Sequence, residues 1–318
     1  MIVQVLVIIF GFFLLIQGAS WMVDGASALA RKHNISNLAI GLTIVAFGTS
    51  APELVVNSIS SFQGYSDIVF GNIIGSNIFN LFAILGIVGL ITPLAVQSST
   101  VWKEIPISFV AILLLFLLCN NLFIQNELIL SRLDGLILFI FFALFLYYVY
   151  KQLKSDNLNF EVPKNDFSNL KIWTLIIIGL AGLVFGGNLV VTYSVEIATI
   201  LGISEKIIGL TIVAMGTSLP ELVTSVVATL KKNNDIAIGN IIGSNIFNIL
   251  LILSISSFIN PIKYNPLFNF DMYFLGFGTI FLFTAMFMGK KKKLDRWEAM
   301  LLLFAYIIYT GFLIEKAI

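Results

Sequence analysis

Charge is scarce in this sequence: Asp, Glu, Lys and Arg make up 11% of 318 residues, where a soluble globular domain carries about 25%. So few charges cannot coat a chain of this size, which excludes a soluble fold. Cysteine is nearly absent as well. Cys119 stands alone inside an apolar run, which excludes an internal disulfide or a cysteine metal cluster and leaves it as a packing residue. The single histidine, His33, lies beside Arg31 and Lys32 in an expected cytoplasmic turn and reads as a solvated loop residue. No Ser-His, Cys-His or metal-His arrangement supports an enzyme. Net charge is only +1, and the one lysine run, Lys290 to Lys293, sits between apolar stretches, where it reads as a cytoplasmic anchor rather than a nucleic-acid contact. Strict apolar alternation is missing too: runs such as Ile105 to Leu118 do not read as β-barrel strands.

Apolar sequence is what the chain has in abundance, 58% of it. Ten stretches, many near the roughly 20 residues needed to cross the hydrocarbon core as a helix, fall at 2–29, 36–61, 66–92, 101–120, 129–150, 171–198, 204–230, 235–258, 271–288 and 297–316. The expected fold is an all-α polytopic membrane protein of ten transmembrane helices. The first stretch lacks a basic n-region and a small-residue cleavage site, so it reads as a retained helix. The longest polar interruption, Lys151 to Lys171, divides the spans five and five. The expected organisation is a first five-helix repeat over 1–150, a cytoplasmic linker over 151–170 and a second repeat over 171–318.

Those halves are copies of each other. Ile35 to Asn80 lies on Ile203 to Asn248 at a constant offset of 168 without a gap, and 28 of the 46 pairs are identical. The identities concentrate in GLTIVAFGTSAPELV, Gly41 to Val55, against GLTIVAMGTSLPELV, Gly209 to Val223, and in GNIIGSNIFN, which occurs letter for letter at Gly71 to Asn80 and Gly239 to Asn248. Five spans per copy is odd, so the second copy enters the membrane from the opposite side, the inverted arrangement common in secondary transporters. With both termini outside, 14 of the 18 basic residues fall in cytoplasmic segments, which satisfies the positive-inside rule. The expected location is the plasma membrane.

In each copy Gly-Thr-Ser-x-Pro-Glu interrupts an apolar span: Gly48, Thr49, Ser50, Pro52 and Glu53, then Gly216, Thr217, Ser218, Pro220 and Glu221. Proline has no amide hydrogen and clashes with the carbonyl four residues earlier, so the helix should break there and expose carbonyls. Those of Gly48 and Gly216 are freed, and those of Ala46 and Ala214 are candidates beside them. A glutamate near the bilayer centre costs about 3 kcal/mol on insertion scales, which makes it a functional candidate. The competing reading is a protonated pair that only hydrogen-bonds between helices. Ser76 with Asn80, and Ser244 with Asn248, are four apart and share a helix face. Asn72 and Asn240 either line the path or bond between helices. Gly71 with Gly75, and Gly239 with Gly243, have the spacing of close helix packing.

The inventory is hard oxygen, which suits Ca²⁺ or Na⁺ and argues against zinc or copper. If the two glutamates are the only ionised groups, one Ca²⁺ leaves the cavity neutral and three Na⁺ leave it at +1. Either load is cheaper in low dielectric than two bare carboxylates, so exchange is favoured over return of an empty carrier.

At these motifs the sequence resembles the sodium/calcium exchanger branch of the calcium/cation antiporter superfamily. The resemblance extends over all ten spans and is specific in the second, third, seventh and eighth. It implies Ca²⁺ exchanged for Na⁺, typically three Na⁺ per Ca²⁺, with spans one and six sliding to give alternating access. It also implies Glu53 and Glu221 as shared ligands, Thr49 and Thr217 as oxygen donors, and Ser50, Ser218, Ser76, Ser244 and the Ala46 and Ala214 carbonyls as contributors to flanking Na⁺ sites. Several prokaryotic and potassium-dependent relatives carry Asp where this chain has Asn248, so the resemblance puts potassium co-transport in doubt; proton-coupled relatives usually replace G-T-S-x-P-E with a G-N-x-x-E pattern, which neither copy here does. Ca²⁺ and Na⁺ are thus the expected substrates and the bilayer the expected surroundings. No resident cofactor, obligate protein partner or nucleic acid is expected. A proton/calcium exchanger, a potassium-dependent exchanger and a channel are the competing readings.

Overall fold

The computed structural model describes residues 2–120, 128–155, 167–201, 214–288 and 292–317. Among them the helices run α1 Ile2–Lys32, α2 Asn37–Thr49, α3 Ala51–Phe62, α4 Ser66–Ile91, α5 Thr100–Cys119, α6 Arg132–Ser155, α7 Asn169–Ile200, α8 Leu219–Leu230, α9 Asn234–Ile259, α10 Phe268–Ala285 and α11 Arg296–Ala317. Eight of them are long and apolar enough to cross a membrane, and α2 and α3, bent by 47° at their break, are long and apolar enough only when taken together. Of the expected seventh span, α8 is described together with a single turn at Ala214–Gly216, while 202–213 lie outside the described residues. Large apolar side chains such as Phe13, Phe62, Phe185, Phe277 and Ile307 are exposed on many helices, a surface that fits lipid rather than water.

Two helices form the centre. Nearly every residue of α9 is buried, and α4 is buried almost as fully. Both carry the GNIIGSNIFN block, and both lose α-helical register at the same place: π-turns occupy Phe79–Ile84 and Phe247–Ile252. There the Leu85 amide reaches back to the Asn80 carbonyl, and the Leu253 amide to the Asn248 carbonyl. Such turns rotate the following side chains relative to the preceding ones and are frequent at functional sites.

The duplication is visible in backbone detail. Ser50 (φ −82°, ψ 8°) and Ser218 (φ −90°, ψ 9°) interrupt their helices identically. Gly64 at φ 79° closes the turn after α3, and Lys232 takes φ 61° at the matching place after α8. Two short ribbons pair Leu94–Ala95 with Lys293–Leu294 and Ile129–Leu130 with Ile262–Lys263, each joining one half to the other.

Helices α1 and α7 pack on glycines. A Cβ on Gly18 would sit 2.7 Å from the Gly179 carbonyl oxygen, one on Gly11 would sit 3.0 Å from that of Gly186, and one on Gly25 would sit 3.1 Å from that of Ile172. Partner numbers fall as α1 numbers rise, so the two helices run antiparallel. The contacts are also reciprocal at the offset of 168: Gly18 meets Gly179, the counterpart of Gly11, and Gly11 meets Gly186, the counterpart of Gly18. In lipid no hydrophobic force drives helices together, so backbone approach of this kind supplies the packing. Gly18→Ala is therefore expected to destabilise the protein by about 1–3 kcal/mol through overpacking, read as a lower melting temperature in detergent. Gly311→Ala, with no atom within 4 Å of the new Cβ, is the silent control; equal melting of the two variants contradicts the packing.

Candidate ion site

The helix breaks place the two acids. Pro52 and Pro220 lie in the first turn of α3 and α8, where a missing amide hydrogen costs nothing. That puts Glu53 and Glu221 at the third position of their helices, next to the positive end of the helix dipole, which stabilises an anion there by up to about 2 kcal/mol when partly buried. Both side chains are wholly buried.

Each acid is held by the serine of the other break. Ser50 Oγ donates to Glu221 Oε1 at 3.0 Å, and Ser218 Oγ donates to Glu53 Oε1 at 3.0 Å. Residue i of one half meets residue j of the other and the reverse, which is the signature of a local two-fold axis. Ser76 Oγ lies 3.0 Å from Ser218 Oγ, and Ser244 Oγ lies 3.5 Å from Glu221 Oε1. Thr49 Oγ1 donates to Asn240 Oδ1 at 2.9 Å, and Thr217 Oγ1 accepts from Asn72 Nδ2 at 3.2 Å.

Four asparagines on α4 and α9 lock across the same axis. Asn80 Nδ2 donates to Asn245 Oδ1 at 3.1 Å, and Asn248 Nδ2 donates to Asn77 Oδ1 at 3.0 Å. Asn77 and Asn245 each send their own amide to the other's backbone carbonyl, at 3.3 and 3.4 Å. With their nitrogens so fixed, Asn80 and Asn248 are left with buried Oδ1 atoms that no donor reaches. The second carboxylate oxygens, Glu53 Oε2 and Glu221 Oε2, are equally buried and without a donor.

A buried acceptor left unmade costs about 1–3 kcal/mol, more if charged, and these four come in matched pairs from two acids and two amides. They are hard oxygen, the chemistry of Ca²⁺ and Na⁺. Among the described residues no three His, Cys, Asp or Glu side chains converge, so a cation held here would have to complete its shell with neutral oxygens.

All the side-chain ligands expected from sequence cluster at the two breaks and the α4–α9 contact: Glu53, Glu221, Thr49, Thr217, Ser50, Ser218, Ser76, Ser244, Asn80 and Asn248. The Ala46 carbonyl accepts the Ser50 amide at 3.0 Å and lies 3.3 Å from Thr49 Oγ1. Ala214 opens the short turn before the second break.

Asn77 and Asn245 stand out in the repeated block beside Asn80 and Asn248, three residues before them on the same face, and in the structure they support those two amides. Other supports were missed from the sequence. Asn57 and Ser225, at matching positions, are not identical and so escaped a search for repeats. Their difference breaks the symmetry: Asn57 donates to Asn72 Oδ1 at 2.7 Å, turning the Asn72 amine toward Thr217, whereas Ser225 accepts from Asn240 Nδ2 at 3.0 Å, turning the Asn240 oxygen toward Thr49.

A bundle of apolar membrane-spanning helices, with a buried oxygen cage shared by two matching halves, defines a multi-pass membrane cation transporter. The sequence profile described as sodium/calcium exchanger protein matches residues 3–151 and 171–315. The chain belongs to the sodium/calcium exchanger family and is a cation/calcium antiporter. It is 38% identical to the putative antiporter CaxA of Alkalimonas amylolytica, over 99% of this chain and 100% of that protein. It is 31% identical to the sodium/calcium exchanger MaX1 of Methanosarcina acetivorans, over 96% and 97%. The structure of the sodium-calcium exchanger NCX_Mj soaked with zero Na⁺ and Ca²⁺ superposes with a TM-score of 0.83 at 34% identity, over 98% of this chain and 99% of that one.

The reciprocal hydrogen bonds give Ser50→Ala and Ser218→Ala effects in the same direction. Each removes one donor from a carboxylate and is expected to weaken Ca²⁺ binding about five- to hundredfold, measured by calorimetry on purified protein. One variant binding like wild type while the other loses affinity contradicts the reciprocal roles.

Proposed function

We propose that the chain exchanges Na⁺ for Ca²⁺ across the cell membrane, electrogenically, by alternating access to the cage at Glu53 and Glu221. The observation that carries this is the set of four buried, donorless oxygens: Glu53 Oε2, Glu221 Oε2, Asn80 Oδ1 and Asn248 Oδ1. In this reading the two carboxylates are shared by Ca²⁺ and Na⁺. Thr49, Thr217 and the two asparagines add neutral oxygen. Ser50, Ser218, Ser76, Ser244 and the Ala46 and Ala214 carbonyls serve flanking Na⁺ positions.

Ten spans in two inverted repeats fit the antiparallel course of α1 and α7, and the lysine and arginine distribution favours both termini outside. A cleft of about 430 Å³ supports access from one face: it is lined by Pro52, Val184, Asn188, Thr192, Thr217 and Pro220, between the two breaks and the C-terminal half of α7. A glycine-packed α1–α7 pair can slide as a unit across the breaks. Asn248 in place of an acid leaves two titratable groups in the cage, which favours Na⁺ as sole counter-ion.

Proteoliposomes loaded with Na⁺ test this. They are expected to take up Ca²⁺, and Glu53→Gln or Glu221→Gln to reduce the flux more than a hundredfold, the scale of about 3–5 kcal/mol for removing one member of a buried charged set. With three Na⁺ leaving per Ca²⁺ entering, one positive charge moves outward, so an inside-positive potential accelerates uptake. Equal uptake driven by a pH gradient without Na⁺ contradicts the proposal.

A further inference from the structure

The two breaks are alike, yet the contacts that flank them on opposite faces are not. Lys231 caps the C-terminal end of α8, and its ammonium places all three donors on α1: 2.7 Å from Asp24 Oδ1, 2.9 Å from the Ser20 carbonyl oxygen and 2.8 Å from Ser20 Oγ. Two residues on, Asn233 Nδ2 donates to Ser27 Oγ at 3.2 Å. Together they fasten one end of α1 to the end of α8.

The offset of 168 that matches Gly11 with Gly179 also matches Ser20, Asp24 and Ser27 with Asn188, Thr192 and Val195 on α7, and Lys231 and Asn233 with Gln63 and Tyr65 after α3. On that face the fastening is undone. Gln63 and Tyr65 are exposed. Thr192 donates instead to Asn188 within α7 at 3.1 Å, and both line the cleft of about 430 Å³ that reaches Thr217 and Pro220. The matching residues cannot form this ion pair, because Gln63 and Thr192 are neutral.

We infer that Asp24 and Lys231 are positioning residues of the transport cycle: their ion pair latches α1 to α8, holding the ion site shut on one face while the face of Thr192 is open. The inference rests on the alternating-access reading above. When α1 and α7 slide, the latch must part, and the matching closure on the other face joins only neutral groups, Gln63 against Asn188 and Thr192. The latched state is therefore the more populated one in the absence of ions. A partly exposed ion pair contributes up to about fivefold, and the ammonium's additional hydrogen bonds add to it, so removing the charge is expected to shift the ratio of the two states by roughly three- to tenfold.

Cysteine reactivity in oriented membrane vesicles tests the latch. In a Cys119→Ala background, a single cysteine is placed at Thr192 or at Ser27 and treated from each side with a membrane-impermeant thiol reagent. Thr192→Cys is expected to react faster than Ser27→Cys. Adding Lys231→Gln or, separately, Asp24→Asn should raise the Ser27→Cys rate and lower the Thr192→Cys rate by about three- to tenfold, while Lys231→Arg keeps both near the parent values. Unchanged rates in Lys231→Gln and Asp24→Asn, with Na⁺-driven Ca²⁺ uptake intact, overturn the latch and leave alternating access standing. If neither cysteine in the parent responds to Na⁺ or Ca²⁺, alternating access itself fails, and the latch with it.

Discussion

Two carboxylates buried together in a low-dielectric bundle set the terms for everything around them. Among the described residues neither Glu53 nor Glu221 has a basic side chain in its hydrogen-bonded shell; serine hydroxyls and helix N-termini are the partners. Dipoles of that kind moderate the cost of two negative charges but do not neutralise it. In the proposed reading a cation does, and the pair's remaining oxygens, buried without a donor, are where it would bind. The broken helices serve the same acids. An unbroken helix would direct no positive dipole end at the acids, and Pro52 and Pro220 ensure the break at Ser50 and Ser218.

Duplication turns that local solution into a symmetric one. Because each serine serves the other half's acid, and each outer asparagine is pinned by the other half's inner one, neither copy has a complete cage alone. The same reciprocity recurs away from the cage in the glycine contacts of α1 with α7 and in the two ribbons that join the halves. Asymmetry then becomes informative. Asn57 against Ser225 turns two equivalent amides in opposite senses, and Lys231 pairs with Asp24 where the matching Gln63 and Thr192 are neutral.

Much of this was legible in the sequence because exact repetition of a costly residue in an apolar run has few explanations. Glu53 and Glu221 stood out, the proline breaks gave their local geometry, and Asn80 and Asn248 followed from a four-residue spacing. The π-turns at Phe79–Ile84 and Phe247–Ile252 were not legible, since they depend on how α4 and α9 press against each other and not on local propensity. Asn57 and Ser225 were hidden by their difference, although they act at the same place. The contact of Lys231 with Asp24 spans most of the chain, and only the packed bundle brings the two together.

The central claim is that one oxygen cage serves both ions, so that Ca²⁺ and Na⁺ exclude each other. Equilibrium binding of radioactive Ca²⁺ to the purified protein, titrated with Na⁺, tests it most directly. The account predicts one Ca²⁺ per chain, displaced completely by Na⁺ with a Hill coefficient well above one, reflecting several Na⁺ at the shared carboxylates. Ca²⁺ that stays bound at saturating Na⁺ would contradict it.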